Sequence, residues 1–156
     1  MSINIGIDDN HRKAVAEGLK SVLADTYALY LKTQNYHWNV TGPLFQAVHS
    51  MTEEQYTELA QAVDDIAERI RTLGFKAPGG FKALAALTDL SEGDETLKAE
   101  AMIEDLVKSH ELVARNNRRL HETAAQAGDD STVGLLDDRL AAHEKTAWML
   151  RSLLDG

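Results

Sequence analysis

Cysteine is absent from the 156-residue chain, which excludes disulfides and any thiolate metal site. Proline is nearly absent: only Pro43 and Pro78 occur, so long stretches are free to run as unbroken helix. No apolar run approaches the ~20 residues that span a bilayer. The N-terminus, MSINIGIDDNHRKAVAEG, lacks the basic-then-apolar order of a secretory signal. With the missing cysteine, these absences set the expectation of a reducing, cytoplasmic compartment and no membrane partner. Positive charge is also scarce. Sixteen Lys and Arg face 25 Asp and Glu, giving a formal net charge of -9. That balance opposes direct contact with nucleic-acid phosphates and favours the attraction of cations.

What is present is helical periodicity. Hydrophobic residues make up 44% of the chain and charged residues 26%, as expected of one globular domain over residues 1–156. Val15, Leu19, Val22, Thr26, Leu29, Thr33 and Tyr36 step by three and four, which predicts a first helix from Asp9 or Asn10 to His37 or Trp38. After the turn Asn39-Val40-Thr41-Gly42, Pro43 is placed as the first residue of a second helix. Its stripe is Leu44, Val48, Thr52, Gln55, Leu59, Val63, Ile66, Ile70 and Leu73, and Gly74 stops it. Periodicity then fails to Gly93, apart from a short helix at Phe81 to Leu87. Asp94 is expected to cap a third long helix with Met102, Leu106, His110, Val113, Asn117, Leu120 and Ala124 on its stripe. Gly128 ends that helix. Asp130 or Ser131 begins the fourth, which carries Leu136, Leu140, His143, Ala147, Leu150 and Leu154. Two short connections and one long one describe an all-α four-helix bundle, with a crossover joining two parallel helices.

The stretch from His37 to Gly74 carries the chemistry. On the second helix His49 and Glu53 are four residues apart, as are Asp64 and Glu68, so each pair shares a helix face. Tyr56, Ala60 and Ala67 lie between them and make that face partly apolar, which predicts a partner surface. Glu53 and Asp64 are about three turns apart, roughly 16 Å of rise, too far for one ion to bridge. Two copies running antiparallel about a centre near Glu58 and Leu59 resolve this. His49 then lies opposite Glu68, Glu53 lies opposite Asp64, and both pairings share one midpoint. His37 adds a further imidazole to the His49 half. Imidazole and carboxylate ligands without thiolate suit iron, manganese or zinc. The in-chain di-iron signature of a bundle, Glu-x-x-His on two helices, is absent, which also points to a shared site. Against this stands a plainer reading, in which Asp64, Asp65, Glu68, Arg69 and Arg71 are surface ion pairs of small energetic value. His110 and His143 fall on apolar stripes and read as core histidines, while His11 and His121 read as exposed.

At these residues the chain closely resembles the Dps family, the ferritin-like mini-ferritins also called DNA-binding proteins from starved cells. The match runs through HWNVTGPLFQAVHSMTEEQY, DDIAERIRTLG and HEKTAWMLRSLL and covers nearly the whole chain. The resemblance implies a ferritin-like four-helix bundle with the short helix in its crossover, assembled as a hollow homo-dodecamer. It implies di-iron (Fe) ferroxidase centres at two-fold interfaces, with His37, His49 and Glu53 from one subunit and Asp64 and Glu68 from its neighbour. Zinc or manganese in place of iron is the non-redox alternative. Glu53 stands where the family often has aspartate. The implied reaction is oxidation of Fe(II) by hydrogen peroxide or oxygen, with ferric mineral stored inside the shell. Trp38, next to His37, is a candidate electron donor.

The chain departs from the family's pattern in two places. Family members that coat DNA often carry a lysine-rich N-terminal tail, whereas the first ten residues here contain no Lys or Arg and the end at Asp155-Gly156 adds none. Twelve copies at -9 each would give a shell of about -108, so DNA binding is expected to be weak or absent. A nucleoid-associated, DNA-protecting shell is the competing function. At the three-fold iron pore, where the family often has three spaced aspartates, the matching positions are Ala125, Asp130 and Gly134. Asp130 alone is retained there, with Asp129, Asp137 or Asp138 as substitutes.

Overall fold

The computed structural model describes residues 1–155; Gly156, the end of the expected Asp155-Gly156 terminus, lies outside the described residues. Among the described residues there are five helices and no strand: α1 (Asp9–Asn39), α2 (Phe45–Thr72), α3 (Phe81–Leu87), α4 (Ala99–Gln126) and α5 (Asp130–Arg151). This is the expected all-α bundle, with α3 set in the long crossover. No described helix is long and apolar enough to cross a membrane.

Side-chain contacts fix the helix directions. His37 meets His49 at one end of α1 and α2, and Arg12 donates to the Leu73 carbonyl at the other, so the two are antiparallel. Lys32 bonds Asp105 while Asp25 accepts from Asn116, so α1 and α4 are antiparallel as well. It follows that α2 and α4 run parallel, which is why a long crossover must join them. Between α4 and α5 the pairs His110–His143 and His121–Asp137 give a second antiparallel hairpin.

Burial follows the stripes read from the sequence. One apolar cluster fills the end of the bundle near Leu29, Tyr36, Val48, Leu59, Met102, Leu106 and Leu150. A second fills the other end with Val15, Leu19, Ile66, Ile70, Leu73, Leu120 and Leu136. Between them lies a belt of buried polar side chains: Thr26, His110, Asn117, Arg139 and His143. His110 and His143 are therefore core residues, as their stripe positions predict.

Helix ends follow local chemistry. The Asp8 carboxylate accepts from the His11 amide at 3.0 Å to cap α1, and that of Asp129 accepts from the Thr132 amide at 3.0 Å to cap α5. Gly74 (φ 97) and Gly128 (φ 69) take the left-handed conformation that closes α2 and α4, with Phe75 and Asp129 amides returning to Ile70 and Ala124 carbonyls.

Two boundaries differ from expectation. Pro43 does not open α2; it sits in a turn closed by the Phe45 amide on the Gly42 carbonyl at 3.0 Å, and the helix begins at Phe45. Asp94 does not cap α4 either. Its carboxylate is used by Thr96, whose amide and hydroxyl donate at 2.9 and 2.6 Å, and the helix starts only at Ala99.

Candidate metal half-site

The five-residue link between α1 and α2 brings the end of one helix onto the start of the next. The His37 and His49 rings stack there, with centroids 3.8 Å apart and planes at 13°. His37 Nδ1 lies 2.7 Å from the His49 carbonyl, and His49 Nδ1 lies 2.8 Å from the His37 carbonyl. A carbonyl oxygen only accepts, so each Nδ1 must carry the proton and donate. Both rings are thus fixed in the tautomer whose Nε2 holds a free lone pair, the form that ligates a metal. Thr52 Oγ1, 3.2 Å from His37 Nδ1, gives a second acceptor there while donating to the Val48 carbonyl at 2.6 Å. Phe45 stacks on the outer side of His49 at 5.0 Å, and Tyr56 meets His37 edge-on at 5.2 Å.

The carboxylates lie along the same helix. Glu53, one turn beyond His49, is exposed, as are Asp64 and Glu68 farther down α2. The structure brings His37 and His49 together and leaves Asp64 and Glu68 at the other end of the face. Among the described residues no three His, Asp or Glu side chains of one chain are grouped closely enough to hold an ion. Glu58, near the middle of this face, is held by the buried Arg139, whose Nη1 lies 2.9 Å from Glu58 Oε2. Among the described residues Glu53 and Glu54 have no cationic partner, and both are exposed on this stretch of α2.

Trp38 is 67% exposed and, one residue from His37, points to a different side of α1. Asp130 is exposed at the first position of α5. The proposed substitutes for the pore are differently engaged. Asp129 is buried, capping α5 and accepting from Arg69 at 2.6 Å. Asp137 is paired with His121 at 2.9 Å. Sequence reading missed Tyr56 and Phe45 as walls of the histidine pair. Their spacing of seven after and four before His49 was the available signal, because both offsets return to one helix face.

Comparison with known proteins agrees with this architecture. A family model described as a ferritin-like domain matches residues 16–156. A protein of Nostoc sp. described as an "Uncharacterized low temperature-induced protein" is 39% identical over 156 residues, spanning 99% of this chain and 87% of the relative. The DNA protection during starvation protein 2 of Bacillus anthracis is 36% identical over 143 residues, spanning 92% of this chain and 98% of the relative. Among solved structures, the Dps protein from Vibrio cholerae O1, described as a member of the ferritin-like diiron-carboxylate superfamily, superposes with a TM-score of 0.93. It is 30% identical, covering 99% of this chain and 98% of that one.

Proposed function

Because the chain belongs to the Dps family of ferritin-like proteins, we propose that it oxidises Fe(II) at sites shared by two subunits and stores the ferric product in a twelve-subunit shell. The observation that carries this reading is the reciprocal locking of His37 and His49, which commits both Nδ1 atoms to backbone carbonyls and leaves Nε2 of each ring for a ligand, one turn of α2 before Glu53. Imidazoles whose Nδ1 atoms are held by backbone carbonyls present Nε2 to a borderline cation.

Completion of the site comes from symmetry. A two-fold axis through α2 near Glu58 and Leu59 carries the Asp64 and Glu68 positions of a second copy to Glu53 and His49. Each dimer would then hold two equivalent sites of imidazole and carboxylate, and neither copy alone could bind iron tightly. Two Fe(II) ions supply one electron each to hydrogen peroxide. Its O–O bond breaks, two protons are taken up, and two waters form without release of hydroxyl radical. The protein residues bind and orient the iron substrate and exclude competing geometries; no general base or nucleophile is required. Protection of DNA would in this reading be chemical, by removal of Fe(II) and peroxide, because the charge of -9 per chain opposes contact with DNA.

Anaerobic Fe(II) titration followed by a single peroxide pulse tests the assignment. Rapid formation of Fe(III) is expected in the native protein, and its loss in a His37→Ala/Asp64→Ala variant. An undiminished signal in that variant would overturn the proposal.

A further inference from the structure

Polar atoms without a partner gather at one place inside the bundle. Among the described residues, Gln55 Nε2, Gln55 Oε1, His110 Nε2 and Arg139 Nε are buried and bond to no other atom of the protein. The three residues that bear them line one internal cavity of about 20 Å³ between α2, α4 and α5. Buried atoms of this kind are rare unless something pairs them, because each gives up its bonds to water on folding. His110 is 2% exposed and Arg139 7%, so neither reaches bulk solvent for compensation. Arg139 also fixes the direction of the bonds. Its Nη2 lies 3.4 Å from His143 Nε2 and can only donate, so His143 carries its proton on Nδ1 and gives it to His110 Nδ1 at 2.9 Å. The proton of His110 is then on Nε2. Arg139 Nε and His110 Nε2 are thus two donors that cannot reverse, and the Gln55 carboxamide can accept through Oε1.

We propose that this cavity is a binding site for a single water molecule, which pins α2 to the α4/α5 hairpin. Size sets the first limit. A water needs about 10–15 Å³ of such space, so the cavity takes one water and not two. Charge sets the second. Arg139 in the wall repels a cation, and the Glu58 carboxylate, which lines the same cavity and pairs with Arg139 Nη1, repels an anion. What fits is a small neutral molecule that accepts two bonds and donates two. The water accepts from Arg139 Nε and His110 Nε2 and donates one proton to Gln55 Oε1. Its other proton goes to the Glu58 carboxylate or the Thr146 hydroxyl, both in the wall. The partners' positions determine what this does for the fold. Among the described residues, direct polar side-chain bonds from α2 to the hairpin are those of Arg69 to Asp129 and Thr132 near one end, and of Glu58 to Arg139 in the middle. The water adds a junction that reaches both helices of the hairpin, since His110 is on α4 and Arg139 on α5.

High-resolution crystals of the native protein test the site directly. One spherical density peak is expected within about 2.7–3.2 Å of Arg139 Nε, His110 Nε2 and Gln55 Oε1. No density in the cavity would overturn the proposal. A crystal grown in sodium bromide and measured at the bromine edge separates water from a halide. No anomalous peak is expected in the cavity, and one found there would overturn the neutral ligand. Gln55→Met supplies a measurement in solution, because its unbranched chain fills the cavity and displaces the water. Arg139 Nε and His110 Nε2 then lose their acceptor, so the denaturant midpoint should fall below that of the native protein at equal concentration. The opposite sign is expected of a dry cavity, where the same substitution fills space and removes two unpaired atoms. A raised or unchanged midpoint would therefore overturn the water site.

Discussion

His37 and His49 stack in parallel where α1 meets α2, whereas His110 and His143 meet at a tilt of 51° in the belt between the two apolar clusters. In the first pair each Nδ1 proton goes to a backbone carbonyl, so neither ring spends its Nε2 lone pair on the other. In the second the rings bond each other, Nδ1 to Nδ1 at 2.9 Å, and Arg139 Nη2 approaches His143 Nε2 at 3.4 Å. Arginine only donates, so His143 Nε2 is the acceptor, and the proton between the rings comes from His143. His110 Nε2 is left as a donor beside a cavity of about 20 Å³ that Gln55 and Thr146 also line. The lesson is that residue type does not decide a histidine's role. What decides it is which partner takes the Nδ1 proton and whether Nε2 faces an open surface or the core.

The sharpest way to break this contrast is to remove one ring from each pair. His49→Ala removes a proposed ligand on a half-exposed surface. Fe(II) affinity, followed by anaerobic calorimetry, should fall by more than the roughly 10–100-fold typical of outer-shell changes. Its unfolding midpoint should shift little. His143→Ala should do the reverse. It leaves a cavity in the bundle core and strands the Arg139 donor and the His110 Nδ1 acceptor, a loss of about 2–4 kcal/mol in denaturant unfolding. Iron oxidation by the folded fraction should be unchanged. Equal stability losses for the two variants would erase the distinction.

Acid should separate the pairs by a smaller margin. Burial, then the Arg139 charge, pushes the pKa of His110 down to about 3, and burial with the charges of His110 and Arg139 holds His143 well below its ordinary value of 6.5. In the unfolded chain both rings protonate below about pH 6.5. The unfolded state therefore binds more protons between that pH and about 3. Stability present above pH 6.5 is lost as pH falls through this window, by up to about 1.4 kcal/mol per pH unit for each ring. A His110→Leu/His143→Leu variant should show a flatter slope between these pH values than the native protein. It should also be less destabilised at neutral pH than His143→Ala, since both polar partners go together. Parallel slopes would show that the pair does not titrate on unfolding.

Much of this was legible in the residues themselves. The stripes of α1, α2, α4 and α5, the stops at Gly74 and Gly128, and the core placement of His110 and His143 all follow from periods of three and four. Boundaries that depend on a side chain's choice between partners were not legible. Asp94 can cap a helix or fold onto Thr96, and Pro43 can open a helix or sit in the turn before it; packing of the neighbouring segment decides each case. At the site, spacing placed His49 with Glu53 and Asp64 with Glu68. It could not reveal that two rings twelve residues apart would each bond the other's backbone, because that depends on the angle at which α2 leaves the Gly42 turn (φ 91).

Thr52 offers the finest test of that backbone lock. Its hydroxyl sits 3.2 Å from His37 Nδ1, whereas the His49 carbonyl is at 2.7 Å, so the carbonyl is the main acceptor and the hydroxyl a secondary one. The hydroxyl's own proton is committed to the Val48 carbonyl at 2.6 Å. Thr52→Val keeps the shape of the side chain and deletes both interactions. The Val48 carbonyl retains its helical partner, so the stability loss should be about 1 kcal/mol. If the carbonyls hold the tautomer, Fe(II) affinity should drop only a few-fold, well short of the effect of His49→Ala. A loss as large as that of the ligand variant would mean that Thr52, not the reciprocal carbonyl bonds, keeps the His37 Nε2 lone pair available.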